Sequence, residues 1–112
     1  MKTELQILYE DNHVIGVIKP PGLLSQPDGR TPAGSDMLSV VNDYLRVKYH
    51  KPGNAFVGLV HRLDRNVGGT MLFAKTSKGA SRLSAELREG RFRKGYFALA
   101  EGTIRKSAGV LV

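Results

Sequence analysis

In the run His61-Arg62-Leu63-Asp64-Arg65 a carboxylate is flanked by two guanidinium groups, with an imidazole three residues before it. Nearby cations favour the ionised form of a carboxyl group. An ionised, shielded carboxylate can act as a nucleophile or stabilise positive charge developing on a sugar carbon, and both tasks belong to chemistry at an anomeric centre. Neither needs a cofactor. The competing reading is structural: an Asp followed by Asn66 and Gly68 is a common turn former whose charge pairs with a surface Arg.

The elements that must position Asp64 can be read from patterning. Leu5 to Glu10 and His13 to Lys19 are β-rich runs separated by Asp11-Asn12, which predicts an antiparallel hairpin. Pro20-Pro21-Gly22 ends the second run, and the stretch to Ser35 reads as an ordered loop. Leu38, Val41, Tyr44 or Leu45, and Lys48 fall at helical spacing, with Ser35 or Asp36 as cap and Pro52-Gly53 as stop. Phe56 to Leu63 and Thr70 to Lys75 read as strands on either side of a turn, placing Asp64 at a strand end, a common address for catalytic groups. Ser77 is the expected cap of a second helix, with Ala80, Leu83 and Leu87 on one face and Gly90 at its end. A last strand is expected from Arg93 to Glu101. Together these predict an α+β fold with a mixed, mainly antiparallel sheet and flanking helices.

Composition narrows the function classes. A chain of 112 residues suffices for one small domain. Seventeen Lys and Arg against ten Asp and Glu give a net charge of +7 and an isoelectric point near 10.0, which favours a polyanionic partner, nucleic acid or an anionic membrane. No window approaches the roughly 18 apolar residues of a spanning helix, and the N-terminus lacks the apolar core of a signal peptide, so a cytoplasmic location and no membrane are expected. The absence of Cys removes thiolate chemistry and disulfides, and His13, His50 and His61 lack metal-ligand spacing; no metal site is expected.

Several segments together resemble one family. His61-Arg62-Leu63-Asp64-Arg65-Asn66-Val67-Gly68-Gly69 resembles the first signature of the RluA-like RNA pseudouridine synthases, His-Arg-Leu-Asp, two variable residues, then Thr-Ser-Gly. Asp11-Asn12 with Val17-Ile18-Lys19-Pro20-Pro21-Gly22-Leu23 is similar to the family's Lys-Pro-x-Gly-Leu segment, and Leu72 to Thr76 to the strand after the signature. Arg93 to Gly102 resembles the second signature, a Lys-x-Tyr strand ending at Gly. Order and spacing agree over about the first hundred residues. Val67 and Gly68 depart from the commoner Thr and Ser, removing two hydroxyls near the loop.

The resemblance implies a partial pseudouridine synthase fold and isomerisation of uridine to pseudouridine in ribosomal or transfer RNA, without a small-molecule cofactor. Asp64 would attack the uridine or assist cleavage of its N-glycosidic bond. Arg62 would fill the gap left by the extruded base, and Tyr96 would lie against the uracil ring, where its hydroxyl could help remove the proton at carbon 5. His61 is expected near the substrate, ordering the loop. Lys19, Pro20 and Gly22 would shape a loop beside the site. Arg88, Arg91, Arg93 and Lys94, with Arg82 nearby, are the expected contacts to the RNA backbone. Family members continue into a third signature whose Arg pairs with the catalytic Asp, so residues 1–112 are expected to be the N-terminal portion of one catalytic domain, truncated and inactive alone. The rival from another class is a non-catalytic RNA-binding module; an unrelated hydrolase would need Asp28 or Glu101 beside Asp64.

Overall fold

A computed structural model describes residues 4–110. The predicted hairpin is formed by β1 (Gln6–Glu10) and β2 (Val14–Lys19), paired antiparallel. Asp11 builds its turn by accepting the amides of His13 and Val14 on Oδ1, each at 2.8 Å. The register shifts between Ile7 and Tyr9, a bulge beside which Leu8 and Tyr9 are exposed. β4 (Gly69–Ala74) pairs with β2 from Ala74 opposite Val14 to Gly69 opposite Lys19. β3 (Gly58–Leu59) lies on the other side of β4, giving the sheet order β1-β2-β4-β3. Among the described residues all three strand pairings are antiparallel, and parallel pairing is confined to an isolated bridge between Leu24 and Asp36.

The pleat turns Ile15, Val17 and Lys19 to one face of β2, and Met71 and Phe73, their cross-strand neighbours, share it. Helix α1 (Met37–Lys48) covers that face with Met37, Val41 and Leu45, the four-residue spacing of one helical stripe. Burying each such side chain contributes roughly 1.5–3 kcal/mol. Asp36 is the cap: its carboxylate accepts the Ser39 amide at 2.9 Å and the Ser39 hydroxyl at 2.7 Å. Helix α2 (Ser77–Arg88) packs against β3 and β4 through Ala80, beside Gly58 and Ala74, on the face opposite Phe73.

The cap of α2 is Thr76 rather than Ser77. Thr76 has the extended backbone a cap requires and its hydroxyl accepts the Gly79 amide at 3.0 Å, whereas Ser77 is already helical. The same hydroxyl bonds His13 Nδ1 at 2.8 Å, so the hairpin turn docks on the start of the helix. Gly79 permits this approach, since a β-carbon there would overlap the His13 carbonyl.

At the far end of β1, Glu10 gathers four donors. Lys75 and Lys48 reach it at 2.6 and 2.9 Å, and the hydroxyls of Tyr44 and Tyr49 at 2.8 and 3.1 Å. The Lys75 ammonium also lies 4.9 Å from the centre of the Tyr49 ring. This cluster ties β1, β4 and the end of α1 together.

Two predicted strands are corrected. Phe56 to Leu63 yields only Gly58–Leu59, because the chain turns away from β4 as the Leu63 main chain bonds Ser25 instead. Arg93 to Glu101 is irregular and exposed. β4 already has β2 and β3 on its two sides, and β-propensity without a ladder partner leaves main-chain groups to water. No helix among the described residues is long and apolar enough to cross a membrane.

Candidate active site

The loop between β3 and β4 is irregular yet anchored at alternate positions. The His61 ring is half-buried and its Nε2 accepts the Leu72 amide at 3.0 Å, which places the ring proton of the neutral form on Nδ1. Phe92 meets the same ring edge-on, centroids 5.3 Å apart. Leu63 is buried in the core, and both of its main-chain groups bond the Ser25 hydroxyl, which donates to the carbonyl at 2.7 Å and accepts from the amide at 3.0 Å. The Arg65 carbonyl accepts from the Gly22 amide at 2.7 Å and from the Lys19 ammonium at 2.9 Å. Val67 packs against the core, and its amide closes a turn on the Asp64 carbonyl at 3.0 Å. Between these anchors Arg62, Asp64 and Asn66 are exposed.

Lys19 is the least expected of the anchors. It occupies the inward phase of β2, is 0% exposed, and gives its ammonium to the carbonyls of Leu23, Arg65 and Pro20 at 2.6, 2.9 and 3.2 Å. Three acceptors match the three protons of an ammonium. Burial lowers the Lys19 pKa, and the nearby negative charge of Asp64 works the other way. A charged residue thus knits the Pro20–Leu23 loop to the Asp64 loop. Sequence reasoning assigned Lys19 only a loop-shaping part, although a Lys in phase with Ile15 and Val17 signalled an ammonium aimed into the core.

The two loops also touch at Gly68. A β-carbon there would stand 2.9 Å from Pro21 Cδ and 3.3 Å from the Lys19 carbonyl oxygen, so a side chain at this position would have to displace the proline ring. The proline ring fills the space a larger residue would need.

Asp64 opens onto a cleft of about 830 Å³ whose lining includes Arg62, His61, Ser25, Asp28 and Lys94. Among the described residues the Asp64 carboxylate makes no hydrogen bond or ion pair. The expected site residues are therefore only partly assembled: Asp64, Arg62, His61 and Lys94 share the cleft, and Tyr96, 63% exposed, lies outside its lining. Arg88 and Arg93 are exposed away from it, and Arg91 is engaged by Glu86 at 2.7 Å and by Glu89. Asp28, the second acid a hydrolase would require, reaches the cleft, but it accepts the amides of Arg30 and Thr31 and the Thr31 hydroxyl within its own loop. Ser25 and Phe92 had no marker in the spacing of the sequence; only folding reveals that they hold the loop.

The sheet with this helix arrangement matches the fold of a solved structure, the human RNA pseudouridylate synthase domain containing 4. That likeness has a TM-score of 0.61 at 22% identity, covering 77% of this chain and 30% of the human one. Residues 13–110 match the family described as RNA pseudouridylate synthase, and the chain belongs to that family. It is 38% identical over 104 residues to the ribosomal large subunit pseudouridine synthase D of Pseudomonas aeruginosa, covering 90% of this chain and 30% of that one. It is 36% identical over 97 residues to the synthase C of Buchnera aphidicola, covering 87% and 28%. It is 32% identical over 106 residues to the dual-specificity RNA pseudouridine synthase RluA of Vibrio vulnificus, covering 95% and 39%. The chain thus spans about a third of the length of these relatives.

Proposed function

We propose that this chain forms the catalytic-loop portion of an RNA pseudouridine synthase, with Asp64 as the reacting carboxylate and a uridine in ribosomal or transfer RNA as substrate. The observation that supports it most is the exposure of Asp64 on a cleft while its neighbours Leu63 and Arg65 are tied down on either side. Preorganisation of that kind suits a group that must meet a sugar carbon or base at a fixed position. Two of the three relatives above bear names that specify the large ribosomal subunit, which favours ribosomal RNA.

The reaction is an isomerisation. The bond from C1′ of the ribose to N1 of the uracil breaks, with Asp64 attacking the uridine or supporting the cleavage, and a bond from C1′ to C5 forms after the base turns. The proton on C5 leaves and N1 ends protonated, so atoms and electrons balance without an oxidant. Arg62, exposed beside Asp64 in the cleft, takes the place of the extruded base in the stack. His61 orders the loop at the substrate from its bond to Leu72. Lys94 supplies positive charge at the cleft for a phosphate, with Arg88, Arg91 and Arg93 farther along the same basic stretch. Tyr96 reaches the uracil ring once segment 93–101 is drawn toward the cleft.

Release of tritium from RNA carrying 5-labelled uridine tests this assignment in the protein that bears the chain. Asp64→Asn is expected to lose about a thousandfold or more. Equal release by both would overturn it. The 112-residue chain by itself is expected to release little, since Tyr96 stands off and Asp64 lacks a cationic partner among the described residues. The exposed stretch after Phe92 favours RNA binding without chemistry as the second reading for the isolated chain.

A further inference from the structure

We infer that Ser25 is a positioning residue for Asp64, acting through the main chain of Leu63; this rests on the assignment of Asp64 above. Ser25 lies in the Pro20–Ser35 loop, is 5% exposed, and stands 38 residues from Leu63 in sequence. Its hydroxyl meets both main-chain groups of Leu63, donating to the carbonyl at 2.7 Å and accepting from the amide at 3.0 Å. The Met71 sulfur at 3.6 Å is a weaker, longer alternative for its single proton.

The Leu63 main chain has no main-chain partner among the described residues, because the chain has left β4 by this point. One hydroxyl therefore does the work a neighbouring strand would do. The Leu63 side chain is held in the core at the same time, which leaves the next residue to project the other way, into the cleft. Lys19 holds the Arg65 carbonyl on the far side, but it also supports Pro20 and Leu23, whereas both strong bonds of Ser25 go to the residue before Asp64. Replacing Ser25 with Ala would leave a buried N–H and C=O unpartnered and free the loop to shift. A shift of about 1 Å in a reacting group can cost on the order of a hundredfold in rate.

The test compares Ser25→Ala, Ser25→Thr and Val41→Ala, a core variant in α1 that does not line the cleft. Tritium release is measured in the protein that bears the chain, with the unfolding midpoint of each variant and hydrogen exchange at the Leu63 amide. Ser25→Ala is expected to lower kcat about 30-fold or more with KM for RNA within about twofold. Ser25→Thr, which keeps the hydroxyl, restores most of the rate. Val41→Ala loses stability but keeps kcat at temperatures below its own unfolding. Exchange at Leu63 quickens in Ser25→Ala and stays slow in Ser25→Thr. Wild-type kcat in Ser25→Ala, or equal kcat losses in Ser25→Ala and Val41→Ala, would overturn the role. If the wild type releases no tritium, the synthase assignment fails instead. The exchange measurement then decides the Ser25 clamp alone, and unchanged protection in Ser25→Ala refutes it.

Discussion

The Lys19 ammonium, 0% exposed, lies 2.9 Å from the carbonyl oxygen of Arg65, the residue after Asp64. A buried ammonium therefore holds one flank of the Asp64 loop from the last residue of β2. Lys19→Met keeps the stem and removes the donors, leaving the carbonyls of Pro20, Leu23 and Arg65 without them. The variant should lose about 3 kcal/mol of stability in denaturant unfolding. A loss of less than about 0.5 kcal/mol, the usual effect of an inconsequential substitution, would mean that the ammonium holds nothing.

His61 makes stability depend on pH near neutrality. Burial lowers its pKa from 6.5, with a smaller contribution from the charge of Lys94. The unfolded chain takes up a proton more readily than the folded one, so the contribution is complete above about pH 6.5 and is lost as pH falls through the folded value. Protonation also removes the acceptor that binds the Leu72 amide. In thermal unfolding between pH 7.5 and 5, the gap between wild type and His61→Ala should narrow as the pH drops. A constant gap would place the imidazole outside this linkage.

Glu10 acts in a lower window. Burial pushes its carboxyl up, but hydrogen bonds from Lys75, Lys48, Tyr44 and Tyr49 outweigh that and hold it at about 2, below the ordinary 4.5. Its stabilisation is fully present above pH 4.5 and is lost as pH falls toward 2. Glu10→Gln should cost about 3 kcal/mol at neutral pH, because the buried Lys75 loses its counter-charge. Acid titration of the unfolding free energy should be steeper for the wild type than for the variant over that window.

RNA affinity separates two cations that look alike in sequence. Lys94 lines the cleft, whereas the Arg91 guanidinium is engaged by Glu86 and Glu89. Lys94→Ala should reduce the slope of log affinity against log salt by about one, and Arg91→Ala by less. Fluorescence anisotropy with a labelled RNA measures both slopes; identical slopes would remove the distinction.

The hairpin, both helices and the β4 strand were legible because each is specified by local patterning: Asp11 at the turn, Leu38, Val41 and Tyr44 or Leu45 at helical spacing, although the buried stripe is Met37, Val41 and Leu45, and Gly90 after α2. The segments that failed depend on distant partners. Arg93 to Glu101 has β-propensity but no ladder, and the strand pairing expected up to Leu63 gives way there to a hydroxyl in another loop, at Ser25. Within the site, residue types marked Asp64 and Arg62 as chemically apt, yet the support of Leu63 by Ser25 and of Arg65 by Lys19 crosses tens of residues. Tyr96 shows the limit from the other side: its motif marks it as a candidate, and it lies outside the lining of the cleft.

The contact between Pro21 and Gly68 makes the two loops a single mechanical unit at their seam. Any side chain at 68 would have to push the proline ring aside, so a change there is transmitted to the Pro20–Leu23 turn that the Lys19 ammonium holds.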